Sequence, residues 1–188
     1  LNVRTNNTIA DLIPHAGNLD ASLIHDVVVK HATGIDVLLA PFDFQISQGI
    51  QPQDLFSVIE SLDRYYDLIV VDAGSSLTEN VVTLMDLADR LIIVSTPDLA
   101  SLQDVNRFVQ VSRSLAHSPD KLLFVLNRVD MPGGIKSNDV ESVLPDQPFA
   151  RIPDGGPNVV RSMNRGIPLV IKYPRNPSSR AFPKMVGK

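Results

Sequence analysis

An acidic residue and a glycine follow an apolar run near the middle of the chain. Leu68-Ile69-Val70-Val71 is followed directly by Asp72-Ala73-Gly74. A carboxylate at the end of a buried strand can hold Mg²⁺ directly or through water, and a glycine two residues further on lets a backbone N–H approach a phosphate. The alternative is that Asp72 caps the turn that follows. The triplet alone leaves both interpretations open.

A second apolar run ends in an amide. Leu122–Leu126 is followed by Asn127-Arg128-Val129-Asp130. A side-chain amide offers both a donor and an acceptor to the edge of a base. The spacing is similar to the Asn-Lys-x-Asp motif that binds guanine, with Arg128 in place of the lysine. Asn or Asp at the end of a strand is also common turn chemistry, so this tetrapeptide by itself is a weak signal.

A third run, Phe149–Ile152, is followed by Pro153-Asp154-Gly155-Gly156. Proline has a flat apolar face and no backbone donor, so a ring can pack on it, although a simple surface turn explains the same residues. In an open α/β sheet, ligands bind beyond the carboxyl ends of the strands. We therefore expect Asp72, Asn127 and Pro153 to lie at one edge of a sheet.

The hydrophobic pattern alternates between strand and helix along the chain. Apolar runs rich in β-branched residues predict strands, all but the last of them buried on both faces, and patterns with helical spacing lie between them. The predicted strands are Ile35–Ala40, Leu68–Asp72, Leu91–Ser95, Lys121–Asn127 and Phe149–Ile152. The predicted helices are Ala21–His31 with Asp20 as its cap, a helix from Pro52 to Leu62, Val81–Ala88, Leu102–Leu115 and Ser137–Leu144. This alternation predicts a doubly wound α/β fold with a mainly parallel sheet, in one domain over residues 1–188.

Several classes of function are excluded by what the sequence lacks. It contains no cysteine, which excludes disulfide scaffolds and thiolate metal sites. It contains neither a Gly-x-x-x-x-Gly-Lys-Ser/Thr phosphate loop nor a Gly-x-Ser-x-Gly nucleophile elbow. The four histidines show no paired spacing for a metal. No apolar run approaches the ~20 residues that a membrane span needs.

Charge is distributed unevenly along the chain. The whole sequence has a net charge of −4, but residues 151–188 contain eight basic residues and one acidic residue, Asp154. Four prolines in the last part of the chain argue against one long terminal helix there. We expect this C-terminal fifth to meet something negative, and the alternatives are a phosphate ligand, nucleic acid, an acidic lipid surface and the acidic body of the same fold. For the basic, proline-rich tail, about residues 168–188, contact with a membrane surface, with DNA or with its own fold stays open.

Four segments occur in a characteristic order: Gly34–Pro41, Tyr66–Asp72, Asn127-Arg128 and Asn164–Leu169. In this order they resemble the ParA/MinD superfamily of deviant Walker A ATPases, which has a P-loop NTPase fold. Within the superfamily the sequence is most similar to the CpaE/TadZ-like branch, which is linked to pilus assembly and polar localisation. The resemblance extends from about Thr8 to Pro177.

The resemblance implies ATP binding, a nucleotide-dependent homodimer and slow hydrolysis that acts as a spatial switch. Asp72 matches the Walker B aspartate, which implies a role in catalysis and in binding Mg²⁺, and Gly74 lies in the second switch segment. Asn127 matches the residue that binds adenine, and Pro153 and Asp154 match the segment beside the base. ATP and Mg²⁺ are therefore the implied cofactors.

Family members begin with a strand, a lysine-rich phosphate loop, a helix and a second strand that this sequence does not contain. We expect that segment upstream of Leu1 or in another chain, so whether this chain alone is an ATPase stays open. Without it, we expect unpaired edges at Leu68–Asp72 and Leu122–Leu126 and an unstable isolated monomer.

Two alternatives to an ATPase switch remain. One is a scaffold that keeps the fold and binds partner proteins without hydrolysis, and the other is a GTPase, suggested by Asn127 and Asp130. The partners implied by the resemblance are a second copy and proteins of a pilus or polar assembly. The implied location is the cytoplasm, with recruitment to the inner face of the membrane or the cell pole as a further expectation.

Overall fold

The computed structural model describes residues 3, 5–136, 139–140, 142 and 147–186, the last of these by its backbone only. The described residues form two compact units, which we describe separately. The N-terminal unit runs from Val3 to Leu87, and the C-terminal unit contains the described residues from Ala88 onward.

The N-terminal unit is mainly helical. Its elements are two 3₁₀ turns, Ile9–Asp11 and Ile13–Asn18, followed by α1 (Ala21–Val27), β1 (Val29–Lys30), β2 (Asp36–Val37), α2 (Phe44–Gly49), α3 (Pro52–Leu62) and α4 (Glu79–Leu87). Helix α3 packs on the second 3₁₀ turn, and its Val58 and Leu62 are buried together with Leu12. Tyr65, just after α3, donates its hydroxyl to the carbonyl of Leu19 at 2.8 Å. These contacts between distant parts of the chain give the unit its core.

The C-terminal unit is a three-stranded parallel sheet with helices. Its elements are β3 (Leu91–Ser95), α5 (Leu99–Ser114), a 3₁₀ turn (Pro119–Lys121), β4 (Leu122–Asn127), β5 (Ala150–Ile152), α6 (Pro157–Arg165), α7 (Leu169–Lys172) and α8 (Pro177–Val186). The strand order is β3-β4-β5, and both pairings are parallel. The fold class is thus α/β with a parallel sheet, as the alternating pattern predicts.

Local sequence explains where the better-defined helices begin. Asp20 accepts a hydrogen bond from the Leu23 N–H at 2.8 Å and caps α1, as predicted. Asp98 does the same for α5, accepting from the Ser101 N–H at 2.9 Å. Pro52 is the first residue of α3, where its missing N–H has no cost.

Two predicted strands differ from the structure. Residues 68–72 form no strand, although their apolar composition predicts one. Leu68 and Val70 are instead 79% and 82% exposed, because a strand exists only where a neighbouring strand completes its hydrogen bonds. Of the run Ile35–Ala40, only Asp36–Val37 is a strand, and it pairs antiparallel with β1 rather than joining the parallel sheet.

Two further expectations differ from the structure, and a third falls mostly on residues that the structure does not describe. The expectation of an open edge at Leu122–Leu126 is wrong, because this segment lies in β4, which pairs with β3 on one side and β5 on the other. Pro183 does not interrupt a helix but lies inside α8, whose Phe182 and Met185 pack on the core around β5. That packing compensates for the one backbone hydrogen bond that a proline removes. Much of the predicted helix Ser137–Leu144 lies outside the described residues.

No helix within the described ranges combines the length and the apolar character that a bilayer crossing requires.

Candidate functional site

The ends of β4 and β5 lie side by side at the carboxyl edge of the parallel sheet. Asn127 is the last residue of β4 and pairs with Ile152, the last residue of β5. Pro153 follows Ile152 directly, and the Val129 N–H donates to the Ile152 carbonyl at 3.2 Å just beyond the strands. The structure therefore places Asn127 and Pro153 at the same edge, where ligands of α/β sheets bind.

The side-chain amide of Asn127 can form further hydrogen bonds. Its Oδ1 accepts a hydrogen bond from the Arg128 N–H at 3.0 Å, and its Nδ2 has no hydrogen-bond partner within the described residues. Arg128 has a left-handed backbone conformation, with φ of +54°, that turns the chain sharply after the strand. The half-buried amide is thus fixed on one side and free to donate on the other.

The loops after β4 and β5 are tied together by charged side chains. Arg128 donates from Nε and Nη2 to Oδ2 of Asp154 at 3.3 and 3.1 Å. Asp130 Oδ1 accepts the backbone N–H of Asp154 at 2.6 Å. The Gly156 N–H, 2.9 Å from Asp154 Oδ1, and then the Arg128 guanidinium hold the pKa of Asp154 below its usual range. Asp154 is consequently an ionised anchor between the two loops at neutral pH.

The loop that begins at Pro153 is supported from behind by the start of α8. Ser178 donates its hydroxyl to the Pro153 carbonyl at 2.7 Å, and Asn176 donates from Nδ2 to the Gly155 carbonyl at 2.9 Å. A Cβ on the buried Gly155 would lie 2.4 Å from Cγ2 of Val159, so only glycine fits there. Sequence reasoning missed Asn176 and Ser178, because they lie more than 20 positions away from their partners along the chain.

Asp72 and Gly74 lie in the N-terminal unit, on an exposed segment without regular structure. The Gly74 N–H approaches Asp72 Oδ1 at 3.4 Å, and Gly74 has a φ of +71°, which favours glycine. The expectation that Asp72 follows a strand is wrong within this unit, since residues 68–72 form none. The roles of Asp72 in catalysis and metal binding, and of Gly74 near a phosphate, stay predictions.

The donor set at Asp72 fits Mg²⁺ bound together with a nucleotide. Mg²⁺ commonly takes one or two carboxylates from the protein and further oxygens from phosphates and water. The structure holds no group of three or more His, Cys, Asp or Glu side chains placed for a metal, as far as its described ranges extend. Asp72 is a lone, exposed carboxylate, which fits a metal carried by phosphates rather than a cage built by the protein.

Open parallel α/β sheets bind their ligands, nucleotides among them, beyond the carboxyl ends of the strands, which is where Asn127 and Pro153 lie. No family model matches the sequence. Among solved structures, a ParA family ATPase from Chlorobium tepidum superposes with a TM-score of 0.88 at 25% identity, over 96% of this chain and 75% of that one. The septum site-determining protein MinD of Pyrococcus horikoshii, complexed with Mg-ADP, has a TM-score of 0.80 at 24% identity, over 98% of this chain and 73% of that one.

Curated relatives point to the same family. An uncharacterised ATP-binding protein of Methanocaldococcus jannaschii is 24% identical over 184 residues, 96% of this chain and 66% of that protein. The septum site-determining protein MinD of Thermotoga maritima is 25% identical over 150 residues, 77% of this chain and 55% of that protein. These likenesses support homology with ATPases of the ParA/MinD family, whose fold this chain has. The chain spans less than two thirds of the length of these curated relatives.

Proposed function

We propose that this chain forms part of an ATP-binding switch of the ParA/MinD type, which dimerises with nucleotide and hydrolyses it slowly. The observation that carries the proposal is the pair Asn127 and Pro153 at the carboxyl edge of the parallel sheet. The amide can bond the edge of a base, and the proline offers the base an apolar face. Homology with the ParA/MinD family supports ATP as the nucleotide.

The hydrogen bonds around Asp130 favour adenine over guanine. In the GTPase alternative, a carboxylate of Asp130 would accept hydrogen bonds from the ring N–H and amino group of guanine. One oxygen of Asp130 already accepts the backbone N–H of Asp154 at 2.6 Å, and Arg128 is paired with Asp154. Both charged residues of the guanine-like motif therefore have structural partners, while Asn127 keeps a free donor.

Asp72 is the residue proposed to support Mg²⁺ and turnover, and Gly74 the one proposed to let a backbone N–H reach a phosphate. The MinD structure from Pyrococcus horikoshii contains Mg-ADP, which supports the same pair of cofactors here. Bound Mg²⁺ would neutralise charge on the phosphates during transfer. Asp154 would hold the loop beside the base in place through its pairing with Arg128.

A homodimer is the proposed assembly, with partner proteins bound by the nucleotide-loaded form. The MinC:MinD complex of Aquifex aeolicus, whose chain superposes with a TM-score of 0.78 at 21% identity, is a relative of this fold seen with a protein partner. The finer proposal is a role in pilus assembly or polar localisation, as in the CpaE/TadZ-like branch, with recruitment to the inner membrane face or the cell pole. It rests on the segment order in the sequence, since the relatives described above are ATP-binding and septum-site proteins.

Nucleotide titration tests the switch directly. With the protein in its full natural length, we expect ATP with Mg²⁺ to bind, to displace GTP at equal concentration and to raise the mass measured by light scattering. Asn127→Ala should weaken ATP binding about tenfold, the equivalent of one good hydrogen bond to a base, whereas Asn106→Ala on the exposed side of α5 should not. Asp72→Ala should slow turnover, with Asp67→Ala as its control.

The same measurements separate the alternatives. Binding without turnover, or no binding at all with intact partner capture, favours the non-hydrolysing scaffold. Displacement of ATP by GTP at equal concentration favours the GTPase. A mass from light scattering that does not change when ATP is added contradicts the nucleotide-dependent homodimer.

A further inference from the structure

A groove lies between the open side of β5 and the face of α8 that turns toward it. Its volume is about 320 Å³, which is within the range of small-ligand sites. Helix α8 contributes residues at positions 177, 180, 181, 184 and 185, which is one helical face. The groove shares Pro153 with the candidate base site, but Asn127, Arg128 and Asp154 do not line it.

Among the described residues, three cations and no carboxylate line the groove. The cations are Arg151 on β5 and Arg180 and Lys184 on α8. All three residues are exposed, and in the part of the chain that the structure describes neither Arg180 nor Lys184 forms an ion pair. The single acidic residue between positions 151 and 188, Asp154, is engaged by Arg128. Arg180 and Lys184 therefore bring positive charge to the groove that no described carboxylate neutralises.

The other described residues of the lining are apolar. Phe149, Pro177 and Met185 contribute ring and thioether surface beside the cations. An anion with no apolar part would leave this surface in contact with water, and an apolar ligand with no charge would leave Arg180 and Lys184 unused. The lining is complementary to a ligand that joins a phosphate group to an apolar group.

We propose that this groove binds a phosphate ester attached to an apolar moiety, with Arg180 and Lys184 holding the phosphate. Two sources share this chemistry: a free phosphorylated metabolite with an apolar tail, and the headgroup region of an anionic phospholipid. A nucleic-acid backbone fits less well, because its phosphates need a row of cations along an open surface rather than one concave site with an apolar wall.

Two matched double variants and two probes test the site. Octyl phosphate, kept below its micelle concentration, should bind at constant ionic strength, and octyl glucoside should not. Replacing both groove cations, Arg180→Gln with Lys184→Gln, should weaken binding at least tenfold, since each removes a charge-assisted contact. The control pair, Lys172→Gln with Arg175→Gln, makes the same change in net charge at exposed residues outside the groove and should change binding less than twofold. Thermal melts monitored by circular dichroism establish that both double variants are folded.

Vesicles distinguish the two sources. Flotation with vesicles of phosphatidylglycerol and phosphatidylcholine, but not of phosphatidylcholine alone, together with sensitivity to the groove variant, assigns the ligand to a lipid headgroup. Octyl phosphate binding without flotation assigns it to a free metabolite. The proposal is wrong if octyl phosphate does not bind, if both double variants lose the same affinity, or if duplex DNA alone binds in a manner that depends on Arg180 and Lys184. None of these results depends on ATP binding, so they leave the switch proposal untouched.

Discussion

Arg128 and Asp154 join the two loops that carry the candidate base site. The guanidinium, just after β4, donates to the carboxylate, just after β5, at 3.1 and 3.3 Å. The two side chains are 48% and 28% exposed. Because partly exposed pairs contribute little free energy, the contact matters chiefly for the position of the loops beside Asn127 and Pro153.

We expect Arg128→Gln to lower the urea midpoint of unfolding slightly at pH 7. The pKa of Asp154 lies below its usual range in the folded protein, so this carboxylate contributes stability above its unfolded pKa of about 4 and loses the contribution as the pH falls through the folded pKa. The difference in urea midpoint between wild type and Arg128→Gln should therefore become smaller below about pH 4. Arg107→Gln, which loses only an exposed contact with Asp104, is the control. A difference that does not change with pH would show that the charge of Asp154 is not involved.

Gly155→Ala should destabilise the protein by about 1–3 kcal/mol, the usual cost of overpacking. The new Cβ would lie 2.4 Å from Val159 Cγ2 and 2.9 Å from Ser178 Oγ, so the loop after β5 has to shift. In Gly17→Ala the added Cβ meets nothing within 4 Å, and stability should stay equal or rise by up to about 1 kcal/mol. Urea unfolding followed by circular dichroism measures both, and equal midpoints for the two variants would contradict the packing described here.

Tyr66 should ionise only in strongly alkaline solution. Burial, the hydrogen bond from its hydroxyl to Asp36 Oδ2 at 3.0 Å and the charge of Asp36 raise its pKa to about 12. Its contribution to stability is complete below the unfolded pKa of about 10 and is lost as the pH rises through the folded value. The absorbance titration near 295 nm, taken as wild type minus Tyr66→Phe, isolates this phenol. Asp36→Asn should lower its pKa only in part, because burial is the largest cause, and an unchanged pKa would exclude Asp36 as a contributor.

The free edge of β3 should promote self-association. Among the described residues β3 pairs only with β4, and its Ile92 and Val94 are 52% and 59% exposed. Open edges with apolar side chains pair with other chains, and a lysine there opposes it. Val94→Lys should lower the concentration dependence of light scattering, while Val160→Lys, at an equally exposed valine on α6, should not. Equal effects of the two variants would attribute the change to net charge alone.

The local sequence pattern was sufficient to predict several strands and the start of one helix. The apolar runs at Leu91–Ser95 and Lys121–Asn127 predict β3 and β4 to within one residue, and Asp20 marks the start of α1. Both signals act over a few residues: a strand buried on both faces needs a continuous apolar run, and a cap needs a carboxylate beside free N–H groups. The order of such elements also predicts the parallel α/β sheet, because sequential strand-helix-strand units have one favoured handedness.

Only the tertiary structure decided which strands have neighbours and which polar groups meet. The run Leu68–Asp72 is as apolar as β4, yet it forms no strand. The hydrophobic pattern indicates that a segment tends to be buried, but it does not indicate whether a neighbouring strand is present to pair with it. Likewise, the pairing of Arg128 with Asp154 and the support of Pro153 by Ser178 join residues about 25 positions apart. Such contacts depend on strand register and helix packing, which bring distant residues together and which short-range sequence signals do not encode.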